Sequence, residues 1–476
     1  MNHNETKELK SSRRTMIFLC LVVSGIASSI LSTAMTTALP NVVEYFGIST
    51  SVGQWITSGY SLAMGMIMPL TAFLITRFPT KKLYLAGIGS FILGLLLSIF
   101  AGNFAFMMAG RILQACGNGV LMTAAQVIIL TVYPVEKKGT MMGTYGLATT
   151  AAPVVAPTIA GLMIDAFGWK SIFYVALAIM AVSFVISSIV FEDVLEVQDK
   201  KFDVVSFVES IIAFGGITLG IGNISSFGLI SVEGGLPLLV GSVVCAFFIL
   251  RQCGLEKPFL DVKILANRNY AVSVIASMVL YLVMMGSSVM MPLYVQSVMG
   301  YSAVVSGLVT LPGSLATALV SPFAGRLYDR IGIKKIFVAG AAALVISNIG
   351  MYFLTMDTPL WTAAALNVIR NISIGSLMMP LLTWGTSNVV PQKVADASSL
   401  LTSFRTIAGS IGSAVFVGIM TVVGEASVDT YGDAAMMHGM NISFLWMAAG
   451  AVVLFLIVLV LTALQFKISE RKVHYQ

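Results

Sequence analysis

The segment Gly325-Arg326-Leu327-Tyr328-Asp329-Arg330-Ile331-Gly332-Ile333-Lys334-Lys335 is echoed in the same register by Ala72-Phe73-Leu74-Ile75-Thr76-Arg77-Phe78-Pro79-Thr80-Lys81-Lys82. Each follows a long apolar run and ends on two lysines. Fourteen such runs are read along the chain, near 15–38, 53–75, 83–101, 105–130, 140–163, 169–190, 205–226, 235–251, 270–292, 302–325, 335–355, 360–384, 397–423 and 442–465. The two echoing segments follow the second and the tenth. An offset of eight runs predicts two six-helix units with two helices inserted between them: an N-terminal bundle over 1–194, the inserted pair with its linkers over 195–268, and a C-terminal bundle over 269–476. Parallel repeats of this kind place a substrate site between the halves near the membrane midplane.

Composition points to lipid as the solvent. The chain is 57% hydrophobic and 10% charged, with a mean hydropathy of +0.93, more apolar surface than a water-soluble fold of 476 residues can hide. A helix needs about 20 apolar residues to cross about 30 Å of hydrocarbon. No ten-residue alternation suggests a membrane barrel, so the expected fold is all-α and polytopic.

Charge sets the expected orientation. Of the 27 Lys and Arg, nearly all fall in the N-terminal arm, the C-terminal tail and the loops after even-numbered spans. The opposite face carries only Lys170, while Arg111, Arg370 and Arg405 fall within spans. The positive-inside rule then puts both termini in the cytoplasm and the protein in the cytoplasmic membrane. The net charge of +6 reads as topology and attraction to anionic lipid, with no nucleic-acid partner. Cys20, Cys116, Cys245 and Cys253 show no paired spacing, so neither a disulfide framework nor a metal site is expected. The first run is too long for a cleaved secretory signal and is kept as structure.

With these residues in place, the chain resembles the major facilitator superfamily. The segment 325–335 is similar to its signature loop, and fourteen spans resemble its drug:proton antiporter branch. Gln54-Trp55-Ile56-Thr57-Ser58-Gly59-Tyr60 resembles that branch's second-span motif, and Arg111-Ile112-Leu113-Gln114 the fourth-span arginine motif. Ala152-Pro153-Val154-Val155-Ala156-Pro157 with Ala160-Gly161 resembles the fifth-span antiporter motif. Pro292-Leu293-Tyr294-Val295-Gln296 through Gly332 is similar to the family almost throughout. Two departures bear on mechanism. Leu31 stands where the branch usually has a first-span aspartate, and Thr76 and Pro79 stand where the loop after span 2 usually has aspartate and glycine. Both features resemble the lincomycin-resistance type of multidrug exporter.

Charge inside a membrane is expensive, so each such residue is a functional candidate. Arg111, with Gln114 one turn on, is read either as a fixed charge that tunes a partner's proton affinity or as a helix tether. Arg370 and Arg405 are open between substrate contact and structural ties. Glu209 is the one carboxylate clearly inside a predicted span, though near its end, and an interfacial role competes with proton carriage. Asp329, flanked by Gly325, Arg330 and Gly332, is read as a conformational latch on the cytoplasmic side. Arg77 belongs to the weaker counterpart, where Thr76 carries no charge. Gly146, Pro153, Pro157 and Gly161 predict a bent, tightly packed span 5 that the resemblance makes an export-associated hinge. Gln54, Trp55, Tyr60, Tyr294 and Gln296, with Tyr281 and the methionines of spans 9 and 12, are candidate substrate contacts competing with plain packing and interfacial anchoring.

Nothing reads as an enzyme. There is no phosphate-binding loop, no metal-ligand cluster and no soluble domain of useful size, and no cofactor is expected. The expected function is a monomeric exporter of amphipathic small molecules, exchanged for protons by alternating access. Three arginines against one glutamate within the spans favour neutral, zwitterionic or anionic substrates over cationic dyes. Open alternatives are a same-fold exporter of an endogenous peptide, sugar or nucleotide, coupling to an ion other than the proton, and a non-transporting membrane sensor.

Overall fold

The computed structural model describes residues 11–48, 50–53, 55–195, 197, 203–228, 230–256, 258–301 and 303–473. Among them are fourteen helices of 20 residues or more: α1 (Ser11–Phe46), α2 (Trp55–Arg77), α3 (Thr80–Ile99), α4 (Phe104–Val132), α5 (Val135–Phe167), α6 (Ser171–Val190), α7 (Val204–Phe227), α8 (Gly235–Gly254), α9 (Arg268–Leu293), α10 (Ala303–Ile331), α11 (Ile333–Tyr352), α12 (Leu360–Ser387), α13 (Val394–Ala426) and α14 (Ala435–Val473). Hydrocarbon offers no partner for backbone N–H and C=O, and helices satisfy them internally.

Twelve of these helices are long and apolar enough to cross a membrane, thirteen with the bent α2 taken as one span. The expected count of fourteen exceeds this by α5, a 33-residue helix several of whose side chains lie outside the described residues. The sharp break is in α2, where Trp55–Met68 and Leu70–Arg77 meet at 49°. The residue between the two limbs is Pro69. α5, where the prolines predicted a bend, is helical from Val135 to Phe167.

Helix neighbours repeat eight helices on. α1 packs on α5 and α6 as α9 packs on α13 and α14. α4 lies against α2 and α3 as α12 lies against α10 and α11. Across the two sets, α5 runs along α10 and α13 along α2. One apolar core is built chiefly from α1, α3, α4 and α6 and reaches α9 and α13, and a second lies wholly within 276–454. The inserted pair attaches through α7, which touches α2 and α13, while α8 packs mainly on α7.

Asp203 fastens that pair. Its carboxylate accepts bonds from the Val205 and Ser206 amides at 3.1 and 3.3 Å, capping α7, and from Arg251 at the end of α8 at 3.0 Å. Partial burial would push its pKa up, but the Ser206 bonds and Arg251 outweigh this and hold it below the usual value. Stability from a depressed carboxyl is present above its unfolded pKa and lost as pH falls through the folded one. Asp203→Asn should therefore cost about 1 kcal/mol at neutral pH and flatten the acid limb of the unfolding profile. Thermal unfolding in detergent between pH 3 and 7 checks both.

Candidate functional site

Three arginines lie buried among the helices, and two of them are held alike. Arg111 on α4 donates through Nε to the Ile56 carbonyl of α2 at 3.2 Å and through Nη1 to Gln114 Oε1 at 2.7 Å. Gln114 in turn donates to Ser98 Oγ of α3 at 2.9 Å. The Tyr60 ring covers the guanidinium at 4.2 Å, and the Tyr60 hydroxyl accepts from Asn118 at 2.9 Å. Arg370 on α12 donates to Asn367 Oδ1 at 2.5 Å and reaches Met351 Sδ of α11 at 3.1 Å. Asn371, one turn on from Asn367, accepts from the Thr317 hydroxyl of α10 at 3.0 Å. In each set the fourth helix carries an arginine, pairs it with an amide side chain three residues away, and ties the second and third helices to it.

Lysine cannot reproduce such a fork of donors. Arg111→Lys should strand Gln114 or the Ile56 carbonyl and cost about 2–3 kcal/mol, read as a lowered unfolding temperature in detergent with Tyr60 less protected from quenchers.

Arg405 on α13 differs. It is 2% exposed, and its guanidinium lies 4.9 Å from the ring centre of Tyr281 on α9 and within electrostatic reach of Tyr145 on α5.

Asp329, near the end of α10, crosses to the other set of helices. Its Oδ1 accepts from the Gly139 amide of α5 at 2.9 Å, and its Oδ2 from the Thr140 amide at 2.7 Å and the Thr140 hydroxyl at 2.6 Å. The carboxylate can approach because Gly139 and Gly325 cross with no side chain between: a Cβ on Gly325 would stand 2.1 Å from the Gly139 carbonyl oxygen. Gly332, at φ +72°, makes the tight turn into α11 that follows. In the counterpart position, among the described residues, Thr76 donates only to Ala72 and Phe73 of its own helix, at 3.2 and 2.9 Å.

The remaining candidates are scattered. Gln54 lies outside the described residues, as do the side chains of Pro153 and Pro157. Tyr294 is buried in the π-helical turn that ends α9 and donates to the Thr355 carbonyl at 3.1 Å. Gln296, two residues on, is exposed, and so are Trp55, Arg77 and Arg330. Glu209 is half-buried, and among the described residues its buried Oε2 meets no hydrogen-bond partner. Leu31, 1% exposed, faces an apolar cleft between α1, α5 and α6. Gly146 meets Met379 of α12, whereas a Cβ on Gly161 would touch nothing within 4 Å. The tight packing expected at Gly161 is instead at Gly139 and Gly143, because that end of α5 is the one pressed against α10. The sequence reading also passed over Asp396, 2% exposed in the first turn of α13, which sits one residue before the predicted span.

Set against known proteins, the profile of the Major Facilitator Superfamily matches residues 17–413. An uncharacterized MFS-type transporter, YcnB of Bacillus subtilis (strain 168), is 30% identical over 95% of this chain and 96% of its own. The lincomycin resistance protein LmrB of the same organism is 31% identical over 85% of each chain. Among solved structures, the human organic anion transporter MFSD10 superposes with a TM-score of 0.66, covering 94% of this chain and 100% of its own; at 13% identity the likeness shows the fold alone.

Proposed function

The chain belongs to the major facilitator superfamily, and from that membership, with its membrane-crossing helices and its place among transporters rather than enzymes, we propose that it exports amphipathic small molecules across the cytoplasmic membrane by alternating access. Both termini and the basic loops lie on the cytoplasmic side, and protons entering down their gradient drive efflux. Each charge that crosses is worth about 2.3 kcal/mol per 100 mV, so no bound nucleotide is needed. The observation that carries this reading is Asp329 bonded across to Gly139 and Thr140: a charge-assisted contact between the two sets of helices, on the basic face, that must break for that face to open. The name of the LmrB relative, a lincomycin resistance protein, makes lincomycin a substrate to try.

Uptake into everted vesicles, with lincomycin and ethidium compared under an imposed pH gradient, tests it. Gradient-driven lincomycin accumulation with proton counterflow is the expected result, and accumulation of neither compound counts against export. One observation favours a second reading of the driving ion. Leu31 is buried in apolar surroundings where the resemblance would place a carboxylate, which supports coupling to another ion, and uptake unchanged when the pH gradient is collapsed would select it.

A further inference from the structure

We propose that Arg405 is a docking site for the carboxylate, or a comparable oxyanion, of an amphipathic substrate whose apolar body lies on Tyr281, Met285 and Met378. This deepens the export reading above and names the substrate class.

The three buried arginines differ in how their charge is met. Arg111 has Gln114 and the Ile56 carbonyl; Arg370 has Asn367 and Met351. One turn to either side of Arg405 stand Leu401, Thr402, Ala408 and Gly409, of which only Thr402 carries a polar side chain. The Thr402 hydroxyl donates to Gln126 of α4 at 3.4 Å. One nitrogen of each of the three, Nη2 in Arg405, is buried without a partner, but among the described residues Arg405 alone has no hydrogen bond or ion pair from the rest of its guanidinium. A guanidinium so removed from water costs several kcal/mol unless an anion or strong acceptors meet it. The ring of Tyr281 offsets part of that, about 1–2 kcal/mol, and covers one face only. The edge, where a carboxylate binds through two parallel N–H donors, is left without an acceptor.

The surroundings suit an amphiphile. Arg405 lies about a third of the way along the 33-residue α13, about 16 Å from its start. Tyr281 donates to Met378 Sδ at 3.9 Å, and Met378 packs against both apolar cores. Gly409, one turn past Arg405, lets Met285 and Tyr281 close in: a Cβ there would stand 2.8 Å from Met285 Cγ. Tyr145 of α5 lies within electrostatic reach of the guanidinium, so both sets of helices bear on the site. Thioethers and aromatic rings accept apolar bodies of varied shape, while a single buried cation fixes which end of the ligand enters.

The test uses one ligand in two charge states. N-dansyl-phenylalanine and its methyl ester share a body and differ in the carboxylate. The full chain in phosphatidylcholine nanodiscs should bind the acid at least about tenfold more tightly than the ester, by dansyl fluorescence. Arg405→Gln should bring the two affinities together, and Arg405→Lys should keep a reduced preference. Equal binding of acid and ester by the natural chain, binding of neither, or a preference that survives in Arg405→Gln would each overturn the proposal. If Arg405→Gln does not fold, the natural chain's ratio and its fall in Arg405→Lys decide. Loss of the preference on adding phosphatidylglycerol would assign the site to a lipid headgroup and overturn it too. Gradient-driven efflux of both compounds alike, without preference, leaves export standing and removes the anion site; an Arg405-dependent preference without efflux does the reverse.

Discussion

Asp329→Asn should leave the helices folded and the basic face unable to stay shut. Three hydrogen bonds to one carboxylate, all between 2.6 and 2.9 Å, join α10 to α5. Each bond to a charged acceptor contributes about 1.5–3 kcal/mol net, and asparagine turns an N–H₂ toward at least one donor that now has nothing to give to. The loss applies only to the closed state, because once that face opens the carboxylate is solvated in either version. A differential of about 3 kcal/mol moves the balance between closed and open by about two orders of magnitude. With the native cysteines replaced, spin labels at the exposed Glu136 and Arg326 straddle the seam. Their distance distribution should move to longer values in Asp329→Asn, and efflux should fall at least about tenfold. An unchanged distribution would show that the carboxylate does not govern closure. Thr76→Val removes a hydroxyl that serves only its own helix, and it should change neither readout by more than about twofold.

The asymmetry between Asp329 and Thr76 was legible in the sequence, because the two loops can be laid side by side and only one keeps its carboxylate. The partners of Asp329 were not. Nothing local to Gly139 and Thr140 points across the chain to α10, and a pairing between distant segments leaves no periodic signal. The helices themselves and the doubled pattern of their neighbours follow from hydrophobic length and from the echo of 72–82 in 325–335, both properties of the chain itself, whereas the expected fourteen spans exceed the twelve or thirteen helices that pass on length and apolarity. Pro153 and Pro157 stood out by motif, and α5 is helical throughout; Pro69, which no motif singled out, is the residue between the two limbs of α2 that meet at 49°. Asp396 shows how much hangs on one residue of boundary: drawn at 397, the span excluded a carboxylate that α13 carries buried in its first turn. The arginines divide the same way. The amides three residues from Arg111 and Arg370 are visible as spacing, and so is their lack at Arg405, but their meaning needs burial, which sequence alone does not give.

Gly325→Ala should shift the same equilibrium without touching a charge, and this separates packing from electrostatics at the seam. The added Cβ would lie 2.1 Å from the Gly139 carbonyl oxygen and 2.7 Å from its carbon, both backbone, so no side-chain rotation relieves it. One turn further along, Gly143 meets the Ser321 carbonyl at 2.4 Å for the same hypothetical atom, so the helices are close over at least two turns and cannot pivot locally. The strain, about 1–3 kcal/mol for one methyl group forced into close packing, is removed by separating α5 from α10, the movement that opens the basic face. The label distances should therefore lengthen as in Asp329→Asn, by a population change of about 5- to 150-fold, whereas Gly161→Ala, on the same helix but facing open space, should be silent. Salt tells the two variants apart, since screening weakens the partly buried carboxylate contact and leaves a steric clash untouched. Combining them should give less than the sum of the single effects, because each breaks a seam the other has already loosened. Strict additivity would mean that Asp329 and Gly325 act on separate elements, and the single closure that α5 and α10 are argued to form would have to be divided.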